Sequence, residues 1–85
     1  MRPAFELVYT ARAVRDMESL DPVVKRRLAG KMLELQGNPL GAAQKLGNPK
    51  LGQYRWRVGD YRIVFDLDGS RIVILRVGHR REIYR

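Results

Sequence analysis

Apolar residues recur along this chain in two periods, and the switches between them divide it into elements. From Phe5 to Tyr9 the pattern alternates, with Phe5, Leu7 and Tyr9 on one side, as in a strand with one buried face. Thr10 then offers a capping oxygen for a short helix over roughly Ala11 to Ser19. Asp21-Pro22 is a stronger start. An N-cap acceptor is followed by proline at the first helical position, where a missing N–H costs nothing. The helix it opens carries Val24, Leu28, Met32 and Leu35 at spacings of 4, 4 and 3, a single apolar face, and Gly37-Asn38-Pro39 ends it. Gly30 sits inside this helix at a cost of about 1 kcal/mol against alanine; close packing of a neighbouring helix would explain it.

Residues 38–52 are rich in Gly, Pro and Asn and read as a loop. Period two then returns. Gln53 to Val58 alternates strictly, with Tyr54, Trp56 and Val58 facing one way and Arg55 and Arg57 the other. Gly59-Asp60 turns the chain, Tyr61 to Leu67 forms the next strand, and Asp68-Gly69 signals a hairpin. Arg71 to Val77 is the last strand. Its stretch Ile72 to Leu75 is apolar on both faces, as in a central strand covered at least in part on both sides. The expected fold is α+β: one domain over residues 1–85, with an N-terminal strand, two helices and a three-strand antiparallel meander. The helices should cover one face of the sheet and leave the other open, with Arg55, Arg57 and Arg62 on it. Tyr54 and Trp56 then point into the core, with base-stacking platforms as the alternative.

A chain of 85 residues has room for one modest core. With no cysteine, it has neither disulfides nor thiolate metal sites. The N-terminus lacks the apolar run of a signal peptide, and no stretch reaches the ~18 apolar residues of a membrane span, so the expected location is the cytoplasm. Charge changes the picture most. Seventeen Lys and Arg against nine Asp and Glu give +8, with a pI near 10.6. Such an excess calls for an acidic partner: nucleic acid first, then an acidic protein or an anionic membrane, with plain solubilising charge as the bland alternative. Every basic residue after position 50 is arginine, whose planar, always-charged fork suits phosphate.

Most catalytic constellations are missing. His79 is the only histidine, the carboxylates are scattered, and no glycine-rich phosphate loop precedes a helix. What remains is arginine and tyrosine. Arg55 and Arg57, two apart on a strand, project on one face roughly 7 Å apart, with Arg62 across the hairpin. Arg80, Arg81 and Tyr84 follow the last strand. If that tail folds back over the sheet, these groups converge on a basic cleft able to bind a phosphodiester and stabilise a pentacovalent transition state.

The stretch Tyr54-Arg55-Trp56-Arg57-Val58-Gly59-Asp60-Tyr61-Arg62-Ile63-Val64-Phe65 resembles the strand-turn-strand signature of the RelE/ParE toxin superfamily. The tail Val77-Gly78-His79-Arg80-Arg81-Glu82-Ile83-Tyr84-Arg85 is similar to the closing motif of its RelE branch. The resemblance extends to the strand-helix-helix opening and to the loop around Lys45-Leu46. It implies a RelE-like fold of the microbial ribonuclease type and a toxin that cuts messenger RNA in the ribosomal A site. The attacking group would be the RNA's own 2′-hydroxyl, so neither metal nor cofactor is needed. The implied partners are a cognate antitoxin, the ribosome with its messenger, and operator DNA reached only through the antitoxin complex.

The resemblance also implies that the basic residues Arg55 and Arg57, the arginines Arg62 and Arg80, and Tyr84 serve the site. Within it, Arg62 is expected to hold the scissile phosphate and Arg80 to stabilise the leaving 5′-oxygen, with Arg55, Arg57, Arg81 and His79 as candidates to bind substrate. Lysines occupy the first two positions in the best-known pattern. Arginine does not give up its proton in proteins, so Arg55 and Arg57 can only clamp and stabilise charge. Tyr84 is the candidate to accept the proton of the 2′-hydroxyl, with His79 as the rival base. Tyr84 lies where a chain end frays, so only weak cleavage of free RNA is expected. The helix face Lys25, Arg26, Arg27 and Lys31 is a candidate ribosomal RNA contact. A ParE-like inhibitor of DNA gyrase and an inactive RNA-binding module are the rival readings, and the Arg80 and Tyr84 ending favours the RelE branch over the first.

Overall fold

The computed structural model describes residues 5–84. The elements run β1 (Glu6–Tyr9), α1 (Ala11–Glu18), α2 (Pro22–Leu35), β2 (Gln44–Lys45), β3 (Tyr54–Val58), β4 (Tyr61–Asp68) and β5 (Arg71–His79). The helix starts are where the caps predict. Thr10 Oγ1 accepts from the Ala13 N–H at 3.1 Å, and Asp21 Oδ1 accepts from the Val23 N–H at 3.1 Å. Leu28 and Met32 are fully buried and Val24 and Leu35 pack beside them, so the apolar face of α2 is the one its spacing predicts.

The strands form one five-stranded sheet in the order β1-β5-β4-β3-β2, so the fold is α+β as expected. β3, β4 and β5 make the antiparallel meander. β1 returns to lie parallel against β5, from Glu6 opposite Arg71 to Tyr9 opposite Ile74. Both hairpin loops are two residues long with glycine first. Gly59 takes φ 60° and Gly69 φ 61°, a region that costs other residues. The second loop is therefore Gly69-Ser70, one residue later than the Asp68-Gly69 expectation, with Asp68 still paired to Arg71.

One face of the sheet and the helices enclose the core. Trp56, Ile63, Phe65, Ile72 and Ile74 are fully buried with Ala13, Leu28 and Met32. Trp56 and Phe65 rings lie 4.3 Å apart between centroids, and Trp56 Nε1 donates to the Pro39 carbonyl at 2.8 Å. Tyr54 stacks on Phe65 at 5.6 Å. Both aromatics of β3 therefore belong to the core side, which removes them as base-stacking platforms.

Two expectations need correction. The segment 38–52 is not wholly loop. Gln44 and Lys45 pair with Arg55 and Tyr54 as β2 and extend the sheet by an edge strand. Gly30 does not admit a neighbouring helix, because a Cβ there would meet nothing within 4 Å. The candidate contact face of α2 borders two grooves. Arg26, Arg27 and Lys31 line one groove, while Lys25 lines another with Tyr9, Val14, Met17 and Glu18; successive helical residues point about 100° apart.

Candidate active site

The open face carries the arginines because strand pairing propagates side-chain direction. Arg57 pairs with Arg62, and Arg62 with Gly78, so all three positions face away from the helices. Arg55 pairs with Val64 and shares that face. A register shift at Val64/Phe65 lets β5 change its pairing midway, so Val64 opposes Arg76 while Phe65 opposes Ile74.

The tail closes over this face. The N–H groups of Glu82 and Ile83 donate to the His79 carbonyl at 2.9 and 3.0 Å, turning the chain back. Ile83 is 3% exposed and lies over Gly78, where a Cβ would meet its own Cβ at 3.8 Å. Arg76 braces the turn. Its Nε donates to Asp16 Oδ2 on α1 at 2.9 Å, and its Nη1 donates to the Ile83 carbonyl at 3.4 Å. The same Asp16 oxygen accepts from the Val77 N–H at 3.0 Å. An anchored Ile83 thus replaces the frayed end expected around Tyr84.

The closure brings Tyr84 to Arg55. Arg55 Nη1 donates to the Tyr84 hydroxyl oxygen at 3.1 Å, and Arg55 Nε donates to Gln44 Oε1 at 2.9 Å. One guanidinium is therefore held at two points, by β2 and by the tail. Tyr84 itself remains exposed.

Arg62 is the buried member, 6% exposed. Its Nη1 donates to the carbonyls of Gly59 at 2.8 Å and Tyr61 at 2.9 Å. Among the described residues, its Nε and Nη2 have no protein partner and are free to meet an anion. Burial, and then the charges of Arg57, Arg55 and Arg80, push its pKa down, while Tyr84 acts the other way. An arginine stays protonated under such pressure, and the cluster is relieved by an anion placed among the four. Arg80 is fixed at the rim, its N–H donating to the Asp60 carbonyl at 2.8 Å and its Nε 3.7 Å from Asp60 Oδ1.

The structure gathers Arg55, Arg57, Arg62, Arg80 and Tyr84, and sets His79 apart. His79 pairs with Tyr61, on the face opposite Arg62 and Gly78, and packs edge-on against the Tyr61 ring at 5.5 Å. Its Nδ1 accepts from the Arg81 N–H at 3.2 Å. That is the bonding of a turn residue. Arg81 is exposed beside it. Sequence reasoning missed Gln44, Asp16, Arg76 and Asp60, which position the others. Among the described residues no three His, Asp or Glu side chains gather as a metal site, and no helix is long and apolar enough to cross a membrane.

Known proteins resemble this chain in sequence and in fold. Residues 7–84 match the family described as ParE toxin of type II toxin-antitoxin system, parDE. Toxin RelG of Mycobacterium tuberculosis is 33% identical over 84 residues, covering 91% of this chain and 92% of that protein. Toxin RelE3 of Methanocaldococcus jannaschii is 29% identical, covering 93% and 94%. The crystal structure of the RelBE2 toxin–antitoxin complex from Mycobacterium tuberculosis contains a chain that superposes with a TM-score of 0.82 at 28% identity, covering 92% of this chain and 100% of that one. This chain therefore belongs to the ParE toxin family of type II toxin–antitoxin systems, as a RelE-type member of the RelE/ParE superfamily.

Proposed function

We propose that the protein is a metal-independent endoribonuclease that cuts messenger RNA in the ribosomal A site and so stops translation. The observation that carries this reading is the Arg55–Tyr84 hydrogen bond beside the half-satisfied guanidinium of buried Arg62. A phosphodiester set against Arg62 would complete its hydrogen bonding and offset the repulsion from Arg55, Arg57 and Arg80. Charge grows on that phosphate as the 2′-hydroxyl attacks, so fixed arginines favour the transition state over the ground state.

Proton traffic follows from the same geometry. The 2′-hydroxyl gives its proton to the deprotonated Tyr84 oxygen, which the Arg55 donor holds in place. The bond from phosphorus to the 5′-oxygen breaks, Arg80 at the rim stabilises the negative charge left there, solvent protonates that oxygen, and Tyr84 returns the proton it took to solvent. The products are a 2′,3′-cyclic phosphate and a 5′-hydroxyl. No water or metal-bound nucleophile enters, and His79 serves the turn rather than the proton.

The partners follow from this reading and from the relatives. The RelBE2 neighbour was crystallised as a toxin–antitoxin complex; a cognate antitoxin is the corresponding partner here, with operator DNA bound through that complex. The ribosome and its messenger are the target, which places the action in the cytoplasm.

The test is a purified translation reaction with wild type, Tyr84→Phe and Arg80→Ala. Codon-position cuts that disappear in both variants support the reading. No cuts from folded protein, together with inhibition of gyrase supercoiling, would replace it with a ParE-like mode of action.

A further inference from the structure

A groove of about 640 Å³ runs between α2 and the β3–β4 turn. Gly30 of α2 and Gly59 of the turn border it. A Cβ on Gly30 would meet nothing within 4 Å, and Gly59 has the Arg27 guanidinium across it, 2.7 Å from where a Cβ would stand. Arg26, Arg27, Lys31 and Arg57 supply positive charge. The lining's one carboxylate, Glu34, lies 3.4 Å from Lys31 Nζ and is already paired. A mid-helix glycine weakens its helix, and no packing contact compensates for it here. What Gly30 does provide is room for a chain to approach the helix backbone in a basic trough. The trough also joins the candidate active site, because Arg57 lines it and pairs across the hairpin with Arg62.

We propose that this groove is a second phosphate subsite for the RNA strand being cut. It holds the backbone of nucleotides adjoining the scissile bond, with Arg57 reaching both sites. The proposal rests on the ribonuclease reading for its choice of RNA. Its chemistry is backbone recognition by charge, without base readout, so it should tolerate sequence and respond to salt.

The test uses the purified toxin and fluorescein-labelled RNA fully methylated at the 2′-oxygens, which cannot be cut by 2′-hydroxyl attack. Fluorescence anisotropy compares a trimer with a heptamer at low salt. The heptamer should bind about 10-fold tighter, and its salt slope should be steeper by about 0.7 for each added phosphate contact. Gly30→Glu, whose Cβ has free space, should reduce the heptamer to the affinity of the trimer. Arg26→Glu, on the exposed side of α2, should do the same. Equal binding of the two lengths, or a length effect that survives both variants, overturns the subsite. So does weaker ribosome binding with unchanged heptamer binding, which would assign the groove to ribosomal RNA. Loss of antitoxin binding alone would assign it to an acidic peptide and also overturn it. Cleavage in the translation reaction reports separately on the ribonuclease: cuts without a length effect sink only the subsite, and a length effect without cuts sinks only the ribonuclease.

Discussion

The Arg55 guanidinium bridges Gln44 on the edge strand and Tyr84 in the tail, donating to Gln44 Oε1 at 2.9 Å and to the Tyr84 oxygen at 3.1 Å. A long side chain on an open sheet face ordinarily samples several rotamers; two bonded partners select one. Gln44 is exposed and touches no substrate in this mechanism, so it acts through Arg55. Gln44→Ala should lower kcat for messenger cleavage about 10-fold, with stability changed by less than about 0.5 kcal/mol, as for an exposed side chain outside the core. Gln44→Glu, which keeps an acceptor for Arg55, should recover most of the rate. Single-turnover cleavage and urea denaturation check both.

Asp16 ties the tail turn to α1. It accepts from Arg76 Nε and the Val77 N–H, and Arg76 passes the constraint to the Ile83 carbonyl next to Tyr84. Asp16 is 14% exposed on its side chain and Arg76 26%. Asp16→Ala leaves two donors unsatisfied, at a cost of about 1–3 kcal/mol. It should also slow cleavage more than its effect on stability explains, because Tyr84 loses its brace. Hydrogen exchange would show faster exchange of the Ile83 and Val77 amides. Unchanged exchange there would mean that the tail holds itself.

Much of this arrangement was legible in the sequence. Period two located β1 and β3, the turn signals and the apolar run Ile72 to Leu75 located β4 and β5, and the N-cap signals at Thr10 and Asp21 located both helices. The alternation Tyr54-Arg55-Trp56-Arg57-Val58 assigned core and open face correctly, since each strand residue must take one or the other. β2 was not legible. Its two residues, Gln44 and Lys45, are both exposed and pair through backbone, which leaves no apolar pattern. Gln44 as a partner of Arg55 was hidden for the same reason. The Asp16–Arg76 pair joins positions 60 apart, and nothing local records such a contact. The tail's return over the sheet was posed only as a condition for the arginines to converge; its physical basis is the burial of Ile83 against Gly78 and the bond from Arg76 to the Ile83 carbonyl.

The two glycines that border the basic groove should respond in opposite directions to alanine. Gly30 lies in α2 with open space at its Cβ position, so Gly30→Ala should stabilise the fold by about 0.5–1 kcal/mol. Gly59 takes φ 60°, and a Cβ there would crowd Arg27. Gly59→Ala should destabilise by about 1 kcal/mol or more, and because the Gly59 carbonyl holds Arg62, it should also impair cleavage. Urea midpoints for the two variants against wild type check the signs.

The most direct test of the chemistry removes the proposed nucleophile rather than a protein group. A messenger with a single 2′-deoxy substitution on the nucleotide immediately 5′ of the cut is placed in the A site of a programmed ribosome, and single-turnover cleavage is measured beside the all-ribose messenger. Attack by the 2′-hydroxyl, with Tyr84 taking its proton among Arg55, Arg62 and Arg80, predicts cleavage of the ribose messenger to a cyclic phosphate and a 5′-hydroxyl, and no cleavage of the deoxy messenger. Equal cleavage of both would require water as the nucleophile and contradict the arginine–tyrosine mechanism.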